Sequence, residues 1–325
     1  MKICFIDKTN FEYDGNSKYN FNLRGAESIL INLAEALCKK NIEVTIINNC
    51  SKSEIINNIN WISINNLSKK NTYDLVISNG DCNLFKYAKS KNNVLFSHSL
   101  QSIEKFVRKN QLISYLKYKP KICFLSNYHK MNRSKLLYLF GSIRLNWSVD
   151  KIFLESKISK VVDNKLAIFT SRQDRNLKML MNIWSNQISS VNQKLKLLVT
   201  ENHYDNFDKS IITRRLGDQR DLIKDLSKSR VCLIPGHKAE LFCLSAEEAK
   251  ELCVPIITLG IGCLKERVEH GKTGFIAKNK EEFANYTLEL FNNDNLWMKL
   301  RNNLVKQRNL NNWDKVVNSL LNQIN

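Results

Sequence analysis

The sequence predicts an α/β protein of two Rossmann-type domains, and three observations carry that expectation. The chain has 325 residues, more than one hydrophobic core ordinarily supports. Apolar runs of strand length alternate with stretches of helical periodicity, as in βαβ units around a parallel sheet. The alternation starts afresh after a polar, aperiodic segment, "KIFLESKISKVVDN" at 151–164.

In order, "KICFID" reads as a buried strand. "AESILINLAEALCKKN" reads as a helix, with Ile29, Leu30, Leu33, Ala34 and Leu37 on one face, and "IEVTIIN" as the next strand. "YDLVIS", "NVLFSH", "KICFLS" and "SIRLNW" continue the first sheet. "KLAIFTS" opens the second, followed by a helix ("NLKMLMNIW"), a strand ("LKLLVT"), a helix ("RDLIKDLSKS") and a strand ("RVCLIP"). A helix over "LSAEEAKEL" and the strand "VPIITLG" complete it. Expected domains are 1–155 and 156–307, with a last helix within 308–325.

A hydrophobic content of 43% with 25% charged residues fits a soluble globular protein. The net charge of +19 attracts acidic partners: nucleic acid, an anionic membrane surface or phosphorylated substrates. The nine cysteines form no CxxC pair and sit mostly in apolar runs, which reads as reduced core thiols in a cytosolic compartment. The apolar run of "MKICFIDKTN" is too short for a signal peptide, and no stretch of about 18 apolar residues could span a bilayer.

The first strand–helix connection lacks GxGxxG, and the second strand ends in "NNC" with no acid to hold a ribose. This opposes an NAD-dependent oxidoreductase. Gly25, in "RGAE", either admits a phosphate at a helix N-terminus or simply turns the chain into the helix. Arg172 and Arg175, in "FTSRQDRNL", either clamp a diphosphate or lie solvated with Asp174 as a local partner.

The richest stretch is "AELFCLSAEEAKELCVPII", 239–257. "RVCLIP" ends in the loop "GHKAE", so Glu240 lies beyond a strand's carboxyl end, where open α/β sheets bind ligands. A helix starts near Leu244–Ser245, with Glu247 as a capping-box acid. Glu248 lies one turn in, able to accept two vicinal hydroxyls. The amides of Cys243, Leu244 and Ser245 lie between the two acids. Anion in the middle and hydroxyls on both flanks describe a nucleotide sugar.

Here the sequence resembles a known family. "ELFCLSAEEA" resembles the E-x7-E motif of retaining GT-B glycosyltransferases, similar to family 4, the glycosyl transferases group 1. "CVPIITLGIGCLKERVEHGKTGFI" resembles the family's strand, glycine loop, acid and "DGKTG". "RGAESILINLAEAL", "RLNWSVDKIF" and "NNWDKVVNSLL" resemble its GGAE helix, its approach to the interdomain linker and its closing helix.

The resemblance implies two Rossmann-like domains facing each other across a cleft, and transfer with retention of configuration by a front-face route. It implies that Glu240 holds the donor sugar, Glu248 the ribose, and Arg172 the diphosphate. Arg175 falls where the family usually has a lysine. His98, after "NVLFS", resembles a first-domain histidine facing the reacting sugar; a lone histidine can equally be structural. Glu266 matches the acid of the glycine loop. Leu241 and Cys243 stand where glycines are usual, and Lys265 replaces a proline. His237 and Lys238 either read a charged part of the donor or belong to a solvated loop.

No DxD occurs and the histidines (98, 129, 203, 237, 270) are scattered, so no metal or other cofactor is expected. Arg172, Arg175 and the helix amides take the metal's place. Residues 105–144 carry ten basic residues and no acid, interleaved with aromatics. Ile103, Phe106, Val107, Ile113 and Leu116 fall near one helical face. This reads as an element docking on an anionic membrane, or as an ordinary solvated face. The first reading suits a glycan or lipid-linked acceptor in cell-envelope polysaccharide or lipopolysaccharide synthesis, on the cytoplasmic side, with no specific nucleic acid. The alternatives are a sugar-nucleotide-binding protein without catalysis and a basic nucleic-acid-binding protein.

Overall fold

The computed structural model describes residues 1–19, 23, 25–67, 71–100, 102–200, 208–215 and 217–324. The chain divides into two units: residues 1–148 with 311–325, and residues 149–310.

The first unit is built on an eight-stranded sheet. Its strands are β1 (Lys2–Ile6), β2 (Glu43–Asn48), β3 (Glu54–Ile56), β4 (Ile59–Ser63), β5 (Leu75–Asn79), β6 (Asn92–Phe96), β7 (Lys121–Phe124) and β8 (Ser142–Arg144). They run in the order β3-β4-β2-β1-β5-β6-β7-β8. All pairings are parallel except β3 with β4. The central strands β1 and β5 are apolar on both faces and wholly buried over Ile3–Ile6 and Leu75–Ser78, as a parallel sheet covered on both sides requires.

Helix α1 (Gly25–Cys38) buries the predicted Ile29, Leu30, Leu33, Ala34 and Leu37. It also buries Glu27, Ser28, Ile31 and Asn32, because a second helix covers its other side. The segment "SIEKFVRKNQLISYLKYK" does not form one amphipathic helix. It breaks into α2 (Ile103–Arg108) and α3 (Leu112–Tyr118) at Asn110, which takes φ 53°. The break turns Phe106 inward, edge-to-face on Tyr115 at 5.6 Å, and leaves Ile113 81% exposed. A short helix, α4 (Asn127–Met131), follows β7.

The second unit is built on a six-stranded, wholly parallel sheet. It opens with α5 (Lys151–Glu155), then β9 (Asp163–Phe169), α6 (Leu177–Ile183), β10 (Lys196–Val199), β11 (Ile211–Thr213) and α7 (Gln219–Lys228). β12 (Ser229–Leu233), α8 (Leu244–Glu251), β13 (Ile256–Thr258) and β14 (Gly274–Ile276) follow, then α9 (Lys280–Asn292) and α10 (Asp294–Gln307). The strand order β11-β10-β9-β12-β13-β14 reverses direction between β9 and β12. The core centres on Phe169, Trp184, Leu233, Phe283 and Leu300.

The last helix, α11 (Trp313–Ile324), belongs to the first unit and packs on α1. Val316, Val317, Leu320 and Ile324 form its buried stripe. Gln323 closes the attachment, accepting from the Arg144 amide at 2.8 Å. The observed divisions fall at 148/149 and 310/311, against the expected 155/156 and 307/308. The first differs because α5 packs on α8 of the second unit, and a polar, aperiodic sequence gave no sign of that contact. All nine cysteines are free and all but Cys38 are buried.

Candidate functional site

In the second unit, the loops leaving β9 and β12 meet where the strand order reverses, the place where open α/β sheets bind ligands. Asn176, held at φ 66° just before α6, donates its amide to the Gly236 carbonyl at 2.5 Å and ties the two loops together. The loop after β12 is also pressed against the loop after β13. Gly262, at φ 74°, has no room for a side chain: a Cβ there would sit 2.5 Å from the His237 carbonyl oxygen and 2.8 Å from that of Glu240. The Cys263 amide donates to the Glu240 carbonyl at 3.0 Å. Glu240 is therefore carried on a backbone fixed from both sides.

Its carboxylate meets Arg175, whose Nε lies 2.8 Å from Oε1; both side chains are largely buried. Burial raises the Glu240 carboxyl above its ordinary value, against the opposing pull of Arg175 and then His237. Arg175 also reaches Asp174 at 2.9 Å. Arg172 is exposed and pairs with the same Asp174 at 3.0 Å, the local partner expected for it. Glu240, Arg175, Asp174 and Arg172 thus form one ionic chain over the ends of β9 and β12.

Helix α8 begins at Leu244, and Cys243 occupies the capping position at φ 59°, ψ 76° without a side-chain cap. Glu247 does not complete a capping box. It turns away to Lys250 at 3.3 Å and Arg267 at 3.4 Å, so the acid is spent on cations behind the helix. The first-turn amides of an α-helix have no partner within it, which leaves those of Leu244 and Ser245 as donors at the start of α8. Ser245 Oγ reaches the Thr170 carbonyl at 3.5 Å, joining α8 to the end of β9. Glu248 is buried, and its carboxyl is pushed up to about 7 by burial first and by Asp150 second. Ser171 Oγ, also buried there, makes no hydrogen bond among the described residues. His237 is half-buried, and its Nδ1 accepts from the Ala239 amide at 3.1 Å; Lys238 and Glu266 are exposed.

His98 and Gly25 belong to the first unit. Gly25 opens α1. Arg24 of the RGAE motif and His203 lie outside the described residues. His98 follows β6, and its Nε2 lies 2.7 Å from Asn79 Oδ1 at the end of β5. Burial pulls the imidazole down to about 4. Asn79 in turn hydrogen-bonds Asp7, just beyond β1, and Tyr13 donates its hydroxyl to Asp7 Oδ2 at 2.5 Å. Sequence reading did not find Asp7, Asn79, Asn176 or Ser171. The available signal was positional: each follows or ends an apolar strand run at a sheet's point of reversal. Among the described residues no cluster of three His, Cys, Asp or Glu side chains could hold a metal.

Comparison with known proteins bears on the fold and on part of the sequence. Residues 191–309 match the family described as glycosyl transferases group 1. The fold is similar to that of sucrose-phosphate synthase from Thermosynechococcus elongatus, at 13% identity and a TM-score of 0.73, covering 99% of this chain and 98% of the other. It is similar to Anabaena HepE solved with UDP and glucose, at 14% identity and a TM-score of 0.72, with 99% of both chains covered. WaaG, a glycosyltransferase involved in lipopolysaccharide biosynthesis, is similar at 10% identity and a TM-score of 0.69, with 99% of both chains covered. At these identities the likeness is one of fold, two Rossmann-like units of the GT-B class. A comparison with curated proteins finds no match.

Proposed function

We propose that this chain is a glycosyltransferase of the group 1 kind, moving a sugar from a nucleotide-diphosphate sugar to a glycan or lipid-linked acceptor with retention of configuration. The observation that supports it most is the bracket formed by Glu240 and Glu248 around the start of α8, with Arg175 2.8 Å from Glu240, at the reversal point of the second sheet.

In this reading Glu248 accepts the ribose hydroxyls, and the amides of Cys243, Leu244 and Ser245 receive the diphosphate. Arg172 and Arg175 neutralise the charge that develops on the diphosphate as its bond to the anomeric carbon breaks, so no metal is needed. Glu240 holds the sugar hydroxyls. The acceptor oxygen bonds to the anomeric carbon on the face the diphosphate leaves, and the acceptor proton passes to a diphosphate oxygen. His98 serves the reacting sugar from the first unit. Gly25 allows the backbone to approach the substrate, while His237, Lys238 and Glu266 border the donor.

The acceptor class is read from the first unit. Ile113 and Met131 are 81% and 82% exposed, and Leu116, Leu136 and Leu139 are exposed as well. They lie within the run 105–144, which has ten basic residues and no acid. Exposed apolar side chains among cations fit an anionic bilayer better than an ordinary solvated face. No helix among the described residues is long and apolar enough to cross a membrane. A peripheral enzyme acting on an envelope glycan or its lipid carrier follows.

A thermal-shift and calorimetric screen of UDP-, GDP- and ADP-sugars tests the donor site. One nucleotide should stabilise the protein selectively, without added divalent cation, and Glu248→Ala should abolish that shift. Equal shifts with all nucleotides, or shifts that survive the substitution, would overturn the assignment.

A further inference from the structure

The first sheet also reverses its strand order, between β1 and β5. Asp7 and Asn79 sit there, just past β1 and at the end of β5, with His98 just past the neighbouring β6. Asp7 is buried and is met by three hydrogen-bond partners, the Tyr13 hydroxyl at 2.5 Å, the Asn79 side chain and the Lys8 backbone amide. A carboxylate can only accept. Asn79 must therefore turn its Nδ2 to Asp7 and its Oδ1 to His98. An amide oxygen can also only accept, so His98 Nε2, 2.7 Å away, must carry the proton. The neutral ring then has a bare Nδ1. The orientation of one buried carboxylate is passed through an amide to the tautomer of the imidazole.

We infer that Asp7 and Asn79 are positioning residues that fix His98 as the Nε2–H tautomer, so that Nδ1 accepts a hydroxyl from the substrate and disfavours a carboxylate there. The inference rests on the reading of His98 as a sugar-contacting residue. It adds a substrate class: the sugar presents a hydroxyl at this position, as a neutral hexose does, and not the carboxylate of a uronic acid. Two lone pairs facing each other repel, whereas a hydroxyl supplies the missing proton. Among the described residues the hydrogen bond of His98 is the one its Nε2 makes to Asn79. Lys105 of α2 donates to Ser99 Oγ at 2.8 Å, and His129 of α4 is buried with its Nδ1 accepting from the Leu125 amide at 3.3 Å. Burial holds His129 neutral as well, its imidazole pulled down to about 3.

Nitrogen-15 NMR of histidine-labelled full-length protein reads the tautomer without turnover, with His98→Gln identifying the resonance. The parent should show a single form protonated at Nε2 and neutral down to about pH 5. Asn79→Ala should give a mixture of tautomers. Asn79→Asp should raise the ring's titration by about one pH unit or more, because a charge then faces it directly. Asp7→Asn, nearly isosteric, frees the Asn79 amide to flip and should also mix the tautomers, which guards against Asn79→Ala failing to fold. In transfer assays at about pH 5, where the raised ring of Asn79→Asp is half charged and the parent's is mostly neutral, that variant should improve nucleotide uronic acids relative to nucleotide hexoses several-fold. An Nδ1–H form in the parent, or spectra unmoved by both Asn79→Ala and Asp7→Asn, would overturn the inference. A fixed tautomer in a protein that binds no nucleotide sugar would instead sink the proposed function and leave the tautomer assignment standing.

Discussion

Both units reverse their sheets in the same way, yet they furnish the reversal point with opposite chemistry. In the second unit the residues there are charged and their partners are charged: Arg172, Asp174, Arg175 and Glu240 in one chain. In the first, a single carboxylate is met by neutral groups, Tyr13 and Asn79, and the chain ends on a neutral imidazole. The cause lies in the first loop of each. Residues 170–176 make a short turn that leaves two arginines at the rim, while the long loop after β1 folds Tyr13 back over Asp7. In the proposed reading the charged arrangement suits a diphosphate and the neutral one suits hydroxyls.

The strongest way to break this contrast is to remove the ionic chain. Arg175→Met should lower kcat/KM by about 10²–10³-fold, the usual cost of losing one preorganised group at a developing charge. It also strands Glu240, already raised by burial, so the carboxyl should titrate higher still. A variant that keeps full activity and leaves donor affinity insensitive to salt would erase the distinction between the units.

Glu248 sharpens the contrast through pH. Its carboxyl lies at about 7 in the folded protein against an ordinary 4.5, with burial as the main cause. Between those values the folded state holds a proton that the unfolded chain has lost. Stability is therefore full below about 4.5, falls as pH rises to about 7, and then levels, a loss of at most about 3 kcal/mol. Glu248→Gln should be more stable than the parent at pH 8 and equal to it near pH 4.5, by thermal or urea unfolding. Donor affinity runs the other way, since ribose hydroxyls donate to the carboxylate: it should strengthen through about pH 7 in the parent and lose that dependence, weakening about tenfold, in Glu248→Gln. Equal pH profiles for the two proteins would remove Glu248 from the donor site.

Much of this was legible before the structure. Strand-length apolar runs mark the two sheets, and the spacing of Glu240 and Glu248 puts one acid before α8 and one inside it, because both signals are periodic or local. Three things were not legible. The helix predicted through 103–118 breaks at Asn110, whose left-handed backbone an apolar pattern does not encode. Glu247 reads as a capping acid by spacing, yet Arg267, twenty residues on, claims it. Asp7, Asn79 and His98 come together only through strand order, which pairs elements far apart in sequence.

The basic, apolar surface of the first unit offers a milder test. Ile113→Glu with Leu136→Glu should cut sedimentation with anionic vesicles about tenfold or more and leave donor binding unchanged, since both residues are exposed and lie outside the donor unit. Loss of donor binding with them would mean that the unit's fold, and not its surface, had been damaged.

The smallest expected effect concerns the cap of α8. Cys243 holds φ 59°, ψ 76°, a conformation that costs a side-chain-bearing residue about 1 kcal/mol and glycine nothing. Cys243→Gly relieves that strain. It also gives up a buried thiol and adds backbone freedom to the unfolded chain, each worth about 1 kcal/mol in the other direction. The net change in unfolding free energy should stay within about 1 kcal/mol, destabilising. Donor affinity is the sharper readout, because the amides that follow Cys243 are the proposed diphosphate donors. If those amides are already aimed by the strained cap, glycine loosens them and weakens nucleotide binding a few-fold while leaving Glu248's pH dependence intact. If glycine instead tightens binding, the cap was holding the amides away from the diphosphate, and the second unit's ionic chain carries more of the donor than the helix does.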